Sequence, residues 1–371
     1  MRLTRLMLAV LVPLAACDDL TGPAVDPDAP ANLTYQLIPS GDPAAPAGVI
    51  LSWDVPQSGR ANSFNVYGRA SSVAQWQLRA TTTSPTFHDA GTPDAQYYVT
   101  TRDVNGNELG QSVILTINLV SGLPAPLGLV TISLNAAIQL AWRSNAVDAA
   151  HGTFDHYRLY STAYDGTRGV CTTDWVVEGT TVSDGFLAGN LVNGVARCYA
   201  VSAITVDGHE SPWSDAHVDT PRFDARNAFV YSSVARRDSS GFLFLDEPAK
   251  KIGVVASSTR TDLDFTIERH TDGSLWFAPA RTGVTMALYT NVPVADLTSV
   301  DHAPSTGFGA VTIQAVAGYA YVFRMVKADG VHYAAARVAF VTSDYVVFDW
   351  SYQSAPGSAE LSRAPVNTPG M

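Results

Sequence analysis

Eight histidines, three cysteines and a few closely spaced carboxylates are the residues of this 371-residue chain that could do chemistry. The histidines are His88, His151, His156, His209, His217, His270, His302 and His332. None forms His-x-x-x-His or His-Glu-x-x-His, so no zinc-protease helix is encoded. Axial ligation of an iron could draw on His270, His302 or His332, because imidazole suits that metal; otherwise they are solvated loop histidines. Asp262 and Asp264 lie two apart on an expected strand and face one side. Two carboxylates can run glycoside hydrolysis, but they must stand several ångströms apart across a substrate, and one strand rarely supplies both. A solvated strand face is the expected reading. Asp103-Val104-Asn105-Gly106-Asn107-Glu108 places oxygen ligands at alternate positions, a calcium-loop spacing. The matching Thr205–Glu210 stretch lacks them, so a turn is expected in both places. There is no Gly-x-Ser-x-Gly elbow and no phosphate-cradling glycine loop ahead of a helix. Trp276 and Trp350 could offer a stacking platform for a ligand, while Trp53 and Trp142 read as core and Trp213 as packing near a domain junction. The expectation is no catalytic residue, no metal and no cofactor, with His270, His332, Trp276 and Trp350 as the ligand-binding candidates.

Charged residues make up 15% of the chain and hydrophobic ones 46%, against about 25% charged in an average soluble protein. With Thr, Val, Tyr and Ser abundant, this composition suits exported β-structure. The formal net charge is −11 and no dense Lys/Arg run occurs, so a nucleic acid would be repelled.

At the start of the chain, Arg2 and Arg5 precede an apolar run from Leu6 to Pro13, too short to span a bilayer. Leu14-Ala15-Ala16-Cys17 follows. The pattern resembles a bacterial lipoprotein signal peptide, residues 1–16, with its lipobox ending at Cys17. The resemblance implies cleavage before Cys17, lipidation of its sulfur, and an anchor in the bacterial cell envelope, the outer membrane being the expected site. With Cys17 lipidated, Cys171 and Cys198 remain as a pair, and export makes a disulfide their default state. Two lone thiols without a nearby third ligand make a poor zinc site. Residues 17–31, rich in Asp, Pro and Ala, read as a flexible tether.

Beyond the tether, apolar residues alternate with polar ones in short runs, the period of strands with one buried face. Leu33 to Leu37, Val49 to Val55, Phe64 to Tyr67, Trp76 to Ala80, Thr81 to Phe87, Gln96 to Arg102 and Val113 to Ile117 give seven strands over residues 32–120. Residues 121–221 repeat the order. Tyr97, Val99, Gly106, Glu108 and Ser112 recur 102 positions later as Tyr199, Val201, Gly208, Glu210 and Ser214. Trp142 matches Trp53, and Tyr157, Leu159 and Tyr160 match Phe64, Val66 and Tyr67. Seven short strands per copy fit an immunoglobulin-like sandwich. Trp on the second strand, an aromatic-x-aliphatic-aromatic third strand, and Tyr-x-Val-x-Ala before Gly-x-Glu-Ser resemble fibronectin type III modules. The first copy departs from this, with Thr101 for Ala203 and Leu109 for Ser211. The resemblance implies spacer or binding modules without an active site.

Residues 222–362 do not continue the repeat but stay β-like. Phe229–Val234 and Phe242–Leu245 read as a hairpin. Leu263–Ile267 turns at Asp272-Gly273 into Leu275–Phe277, and Tyr319–Phe323 turns at Asp329-Gly330 into Tyr333–Val341. Val346, Phe348, Trp350 and Tyr352 alternate cleanly. Asp262-Leu263-Asp264-Phe265 followed by Arg269, and the Asp329-Gly330–Tyr333 hairpin before Trp350-Ser351-Tyr352-Gln353, faintly resemble a family of haem-capturing β-lipoproteins. Residues 363–371 read as a disordered tail. The expected fold is all-β: two tandem immunoglobulin-like sandwiches and a third antiparallel β-rich domain. The expected function is non-enzymatic binding or adhesion at the cell surface, the two modules acting as a stalk and the C-terminal domain facing a protein or glycan ligand. Haem or metal capture, and a part in polysaccharide degradation, are the alternatives.

Overall fold

A computed structural model of the chain describes residues 26–42, 45–120, 122–149 and 152–362. Cys17, the leader, most of the tether and the tail lie outside these residues, as does His151. The described chain is almost entirely β, with one short helix, Asn145–Ala149, and two 3-10 turns. No described helix is long and apolar enough to cross a membrane. The chain divides into two compact units, residues 1–37 with 47–118, and residues 38–46 with 119–371.

The first unit is a two-sheet sandwich. Its strands are β1 Ala31–Ile38, β2 Gly48–Asp54, β3 Ser63–Arg69, β4 Gln77–Thr82, β5 Thr86–Ala90, β6 Gln96–Arg102, β7 Glu108–Gln111 and β8 Leu115–Thr116. One sheet runs β1-β2-β5 and the other β4-β3-β6-β7, with β8 also on β6. The inward residues Leu33, Leu37, Val49, Leu51, Trp53, Phe64, Val66, Tyr97 and Val99 form the core. The fifth strand begins at Thr86 rather than Thr81, after a turn in which Thr82 Oγ1 accepts from the Ser84 amide at 3.0 Å. The closing strand is broken, because Ser112 turns its hydroxyl onto the Val99 amide at 3.0 Å and ends the ladder.

The second unit opens with the matching sandwich. It comprises β9 Val130–Leu134, β10 Ala137–Ala141, β11 Phe154–Asp165, β12 Val170–Cys171, β13 Val176–Thr181, β14 Gly185–Ala188, β15 Arg197–Thr205 and β16 His217–Asp219. The sheets run β14-β10-β9 and β12-β11-β15-β16, with β13 also on β11. The repeat read in the sequence is a repeat of contacts. Trp53 meets Phe64 edge-on with ring centroids 5.4 Å apart, and Trp142 meets Tyr157 the same way at 5.1 Å. Ser214 bonds the Val201 amide at 3.1 Å, as Ser112 bonds Val99. Strand β15 departs from the expected one-sided pattern: from Cys198 to Thr205 both faces are buried. Its second face is covered by Tyr160, stacked on Trp213 at 4.1 Å, and by Glu210, which takes the Ser202 hydroxyl at 2.7 Å. A Cys171–Cys198 disulfide, Cα–Cα 5.8 Å, ties β12 to β15 across β11.

The rest of the second unit is a sandwich of two five-stranded antiparallel sheets. The strands are β17 Phe223–Tyr231, β18 Gly241–Asp246, β19 Lys251–Ala256, β20 Phe265–Arg269, β21 Leu275–Pro279, β22 Val284–Leu288, β23 Ile313–Gln314, β24 Ala320–Lys327, β25 Gly330–Val341 and β26 Tyr345–Gln353. One sheet runs β17-β26-β25-β24-β22 and the other β19-β18-β20-β21-β23. Between them Phe242, Phe244, Phe265, Phe277, Phe323 and Phe348 form a fully buried aromatic cluster. Each contributes roughly 1.5–3 kcal/mol by burial, and well-placed ring pairs add about 0.5–1.5 kcal/mol. The expected hairpin of Phe229–Val234 with Phe242–Leu245 does not form: β17 pairs with β26 and β18 with β19, so the connection crosses from one sheet to the other. Trp350 is a correction of another kind. It alternates inward with Phe348 and is 3% exposed, a core residue rather than a ligand platform.

Candidate functional site

The candidate site is a cavity of about 660 Å³ at one end of the C-terminal sandwich. Its floor is apolar, Leu243 and Leu245 on β18, and the exposed Ala328 of the tight β24–β25 turn lies at its rim. Its polar groups come from both sheets. Asp262 and Asp264 precede β20, Arg281 follows β21, and Lys327 ends β24.

Asp264 is 1% exposed, so the expected solvated strand face is corrected here. The strand starts one residue later, and Leu263 turns into the core between the two aspartates. Asp264 accepts from the Phe244 amide at 2.9 Å and from Arg281 Nη2 at 2.8 Å. Burial pushes its carboxyl above the ordinary range, with the Phe244 amide and Arg281 pulling the other way. Asp262 is turned outward onto Arg260 at 2.6 Å, and that bond lowers it. The two carboxylates line one cavity but each is held by its own arginine, so they do not form the acid and base of a hydrolase.

Lys327 Nζ is 3.0 Å from Glu247 Oε1 and 5.0 Å from the centroid of the Tyr352 ring. Both cations of the cavity therefore already have partners. Glu247 and Asp329 stay open to solvent, 63% and 60% exposed. With Arg260, which holds Asp262 from outside the lining, four carboxylates face three cations and leave a formal charge of −1.

The other sequence candidates fall into three environments. His270 and Trp276 come together: the imidazole stacks on the indole at 4.4 Å, 6° from parallel, and Trp276 Nε1 donates to Ser274 at 2.7 Å. His270 directly follows β20 and Trp276 is on β21, and neither lines the cavity. His332 is buried rather than presented. Its Nε2 lies 2.9 Å from Asp329 Oδ1 and its Nδ1 3.2 Å from the Gln353 carbonyl. Both ring nitrogens face oxygen acceptors inside the fold, so neither is turned outward to ligate a metal. His302 pairs by its backbone with Glu360. Among the described residues no group of three His, Cys, Asp or Glu could hold a metal ion. The Asp103–Glu108 stretch is a turn in which Asp103 accepts from the Asn105 and Asn107 amides, both at 2.9 Å. Glu108 turns away to Tyr67 at 2.5 Å and to Asn65, a bond that pushes the Tyr67 phenol up to about 12, assisted by burial.

Sequence reasoning missed Glu247, Arg281 and Lys327 as site residues. They lie on three separate stretches of chain, and only the crossing of the two sheets brings them together. Asp262-Leu263-Asp264 was the one local signal.

No protein-family model matches the chain, and no curated protein matches it. Among solved structures it is similar to the sixth fibronectin type III domain of human fibronectin type III domain containing protein 3, at 20% identity over 28% of this chain and 89% of that one, with a TM-score of 0.22. It is also similar to a segment of two fibronectin type III domains of chicken tenascin, at 16% identity over 52% of this chain and 98% of that one, with a TM-score of 0.21.

Proposed function

We propose that the protein is an exported, lipid-anchored binding protein of the bacterial cell envelope. The two immunoglobulin-like modules are its stalk, and the C-terminal sandwich meets the ligand. The observation that carries this reading is the cavity over Leu243 and Leu245, apolar at its floor and charged at its rim, the mixture that small binding sites use for affinity and orientation. Its cations are committed to Asp264 and Glu247, while Glu247 and Asp329 remain exposed. That arrangement favours a partner protein presenting a lysine or arginine side chain over an anionic one. No chemistry is assigned to the site, because its buried carboxylate is bound to a guanidinium and an amide rather than poised over open space.

The test is a protein and glycan array probed with the full chain and with Ala328→Arg, which places a cation on the exposed rim. Binding by the wild type that falls at least about tenfold in the variant, roughly 1.4 kcal/mol, supports the reading. Equal binding by the two proteins moves the ligand elsewhere.

A further inference from the structure

Within the second unit, the module and the C-terminal sandwich are joined by a pair of carboxylates, one fully buried and one half-buried. Asp219 ends β16 and is fully buried. Glu360 lies in the Ala359–Ser362 segment. Ser133 Oγ, on β9, is 2.5 Å from Asp219 Oδ1 and 2.8 Å from Glu360 Oε1. The Thr220 amide donates toward the same two oxygens, at 2.6 and 3.3 Å. A serine hydroxyl has a single hydrogen. The Thr220 amide has one as well, and Asp219 Oδ2 is buried without a hydrogen-bond partner among the described residues. Two full negative charges are therefore short of donors here, and a hydrogen on one carboxyl group supplies the deficit.

The segment around Glu360 holds the two domains together. Leu361 is fully buried against Leu297, Val300, Val322 and Ala335 of the sandwich. Its amide and that of Ser362 donate to the Asp301 carbonyl at 2.8 and 3.1 Å. The Leu361 carbonyl takes Arg222 Nε, and the Ser362 carbonyl takes the Ser133 amide of the module at 2.7 Å.

We propose that Asp219 and Glu360 share one proton, and that this proton is a latch: while it is bound, the Ala359–Ser362 strap clamps the second module to the C-terminal sandwich, and its loss frees the strap.

The surrounding cations are mostly engaged elsewhere. Arg222, fully buried, pairs with Asp224 at 2.8 Å and keeps only its Nη2 without a hydrogen-bond partner among the described residues, with Arg226 further along the same strand. Arg197, opposite Asp219 in the ladder, is bonded to Ser161 at 2.5 Å and paired with Glu178 at 3.6 Å. His217 is pushed down by burial, against the pull of Asp219, and so is neutral near pH 7. Tyr199 is held protonated, with burial the main cause. The remaining neighbours, Asp301 and His302, meet the strap through their backbones. Burial first, then the hydrogen bond and charge of Asp219, push Glu360 up to about 9, against an ordinary 4.5. An acid raised on folding contributes stability that is complete below its unfolded pKa and is lost as pH rises through the folded one. Here that window runs from about 4.5 to about 9.

Trypsin cleavage of the full chain after Arg222, a bond sealed by the strap, reads the latch. Between pH 7 and pH 9.5, corrected for the protease's own pH profile, wild-type cleavage is expected to rise about eightyfold, and Glu360→Gln, a permanently neutral isostere, is expected to stay flat. Asp219→Asn serves as an independent second variant with the same expected behaviour. Cleavage after Arg158, inside the central strand β11, reports opening of the whole module. The proposal is overturned if the variants follow the wild-type pH response, if the wild type shows none, or if Arg158 and Arg222 become accessible together.

Discussion

At the scale of single residues, the two modules test what a buried phenol is worth. Tyr97 and Tyr199 are repeat partners, and both are fully buried. The Tyr97 hydroxyl donates to Asp89 Oδ2 at 2.7 Å and accepts the Asp94 amide at 2.7 Å, fixing the corner before β6. Burial, reinforced by Asp89, raises its pKa. The Tyr199 hydroxyl has no protein partner among the described residues. Hydrogen bonds to charged groups contribute about 1.5–3 kcal/mol, whereas an unpaired buried hydroxyl contributes nothing favourable. Tyr97→Phe is therefore expected to destabilise the first unit by about 1.5–3 kcal/mol in urea titrations, and Tyr199→Phe to change the second by less than about 0.5 kcal/mol. Equal losses at the two positions would show that the corner bonds do not matter.

At the scale of elements, the strands that were legible are those whose residues alternate apolar with polar, even where, as in β26, both faces end up buried. Alternation at Val346, Phe348, Trp350 and Tyr352 located β26, and Asp272-Gly273 located the β20–β21 turn, because both signals are local. β19 and β22 escaped, since Lys251-Ile252-Gly253-Val254 and Val284-Thr285-Met286-Ala287 interrupt the pattern with small residues. The partner of β17 was misread because pairing with β26 spans more than a hundred residues of chain, and no turn announces it. Gly253 shows why β19 carries a small residue. It has φ +61°, and a Cβ there would lie 2.3 Å from the Trp350 ring. Gly253→Ala meets both the backbone strain of a left-handed position and an overpacked core. A loss of at least about 2 kcal/mol is expected for the C-terminal sandwich, read as a lowered thermal midpoint. An unchanged midpoint would mean that β19 moves freely off the indole. The disulfide acts on the neighbouring module. Removing it by Cys171→Ala with Cys198→Ala releases a loop of 27 residues, an expected loss of about 3 kcal/mol. Reduction of the wild type should reproduce that loss, and a difference between the two experiments would assign it to the alanines instead.

At the scale of the whole molecule, the stalk reading depends on Cys17, which lies outside the described residues. The candidate cavity was only partly legible because its charges are distant in sequence, whereas the proposed anchor rests on a local pattern: Arg2 and Arg5, an apolar run, then Leu14-Ala15-Ala16-Cys17. The physical consequence is testable without knowing the ligand. Each buried methylene of an acyl chain contributes about 0.8 kcal/mol, so one chain holds a protein only reversibly and two or more hold it firmly. Expressed in a bacterium with lipoprotein processing, the wild type is expected in the membrane fraction, its mass raised by acylation at Cys17. Cys17→Ala is expected in the soluble exported or unprocessed fraction, with the same Cys171–Cys198 bridge wherever export has occurred. Membrane retention of Cys17→Ala would place the attachment in the folded units. A wild type recovered soluble, with an unmodified thiol at position 17, would remove the anchor and with it the reason to read the two modules as a stalk.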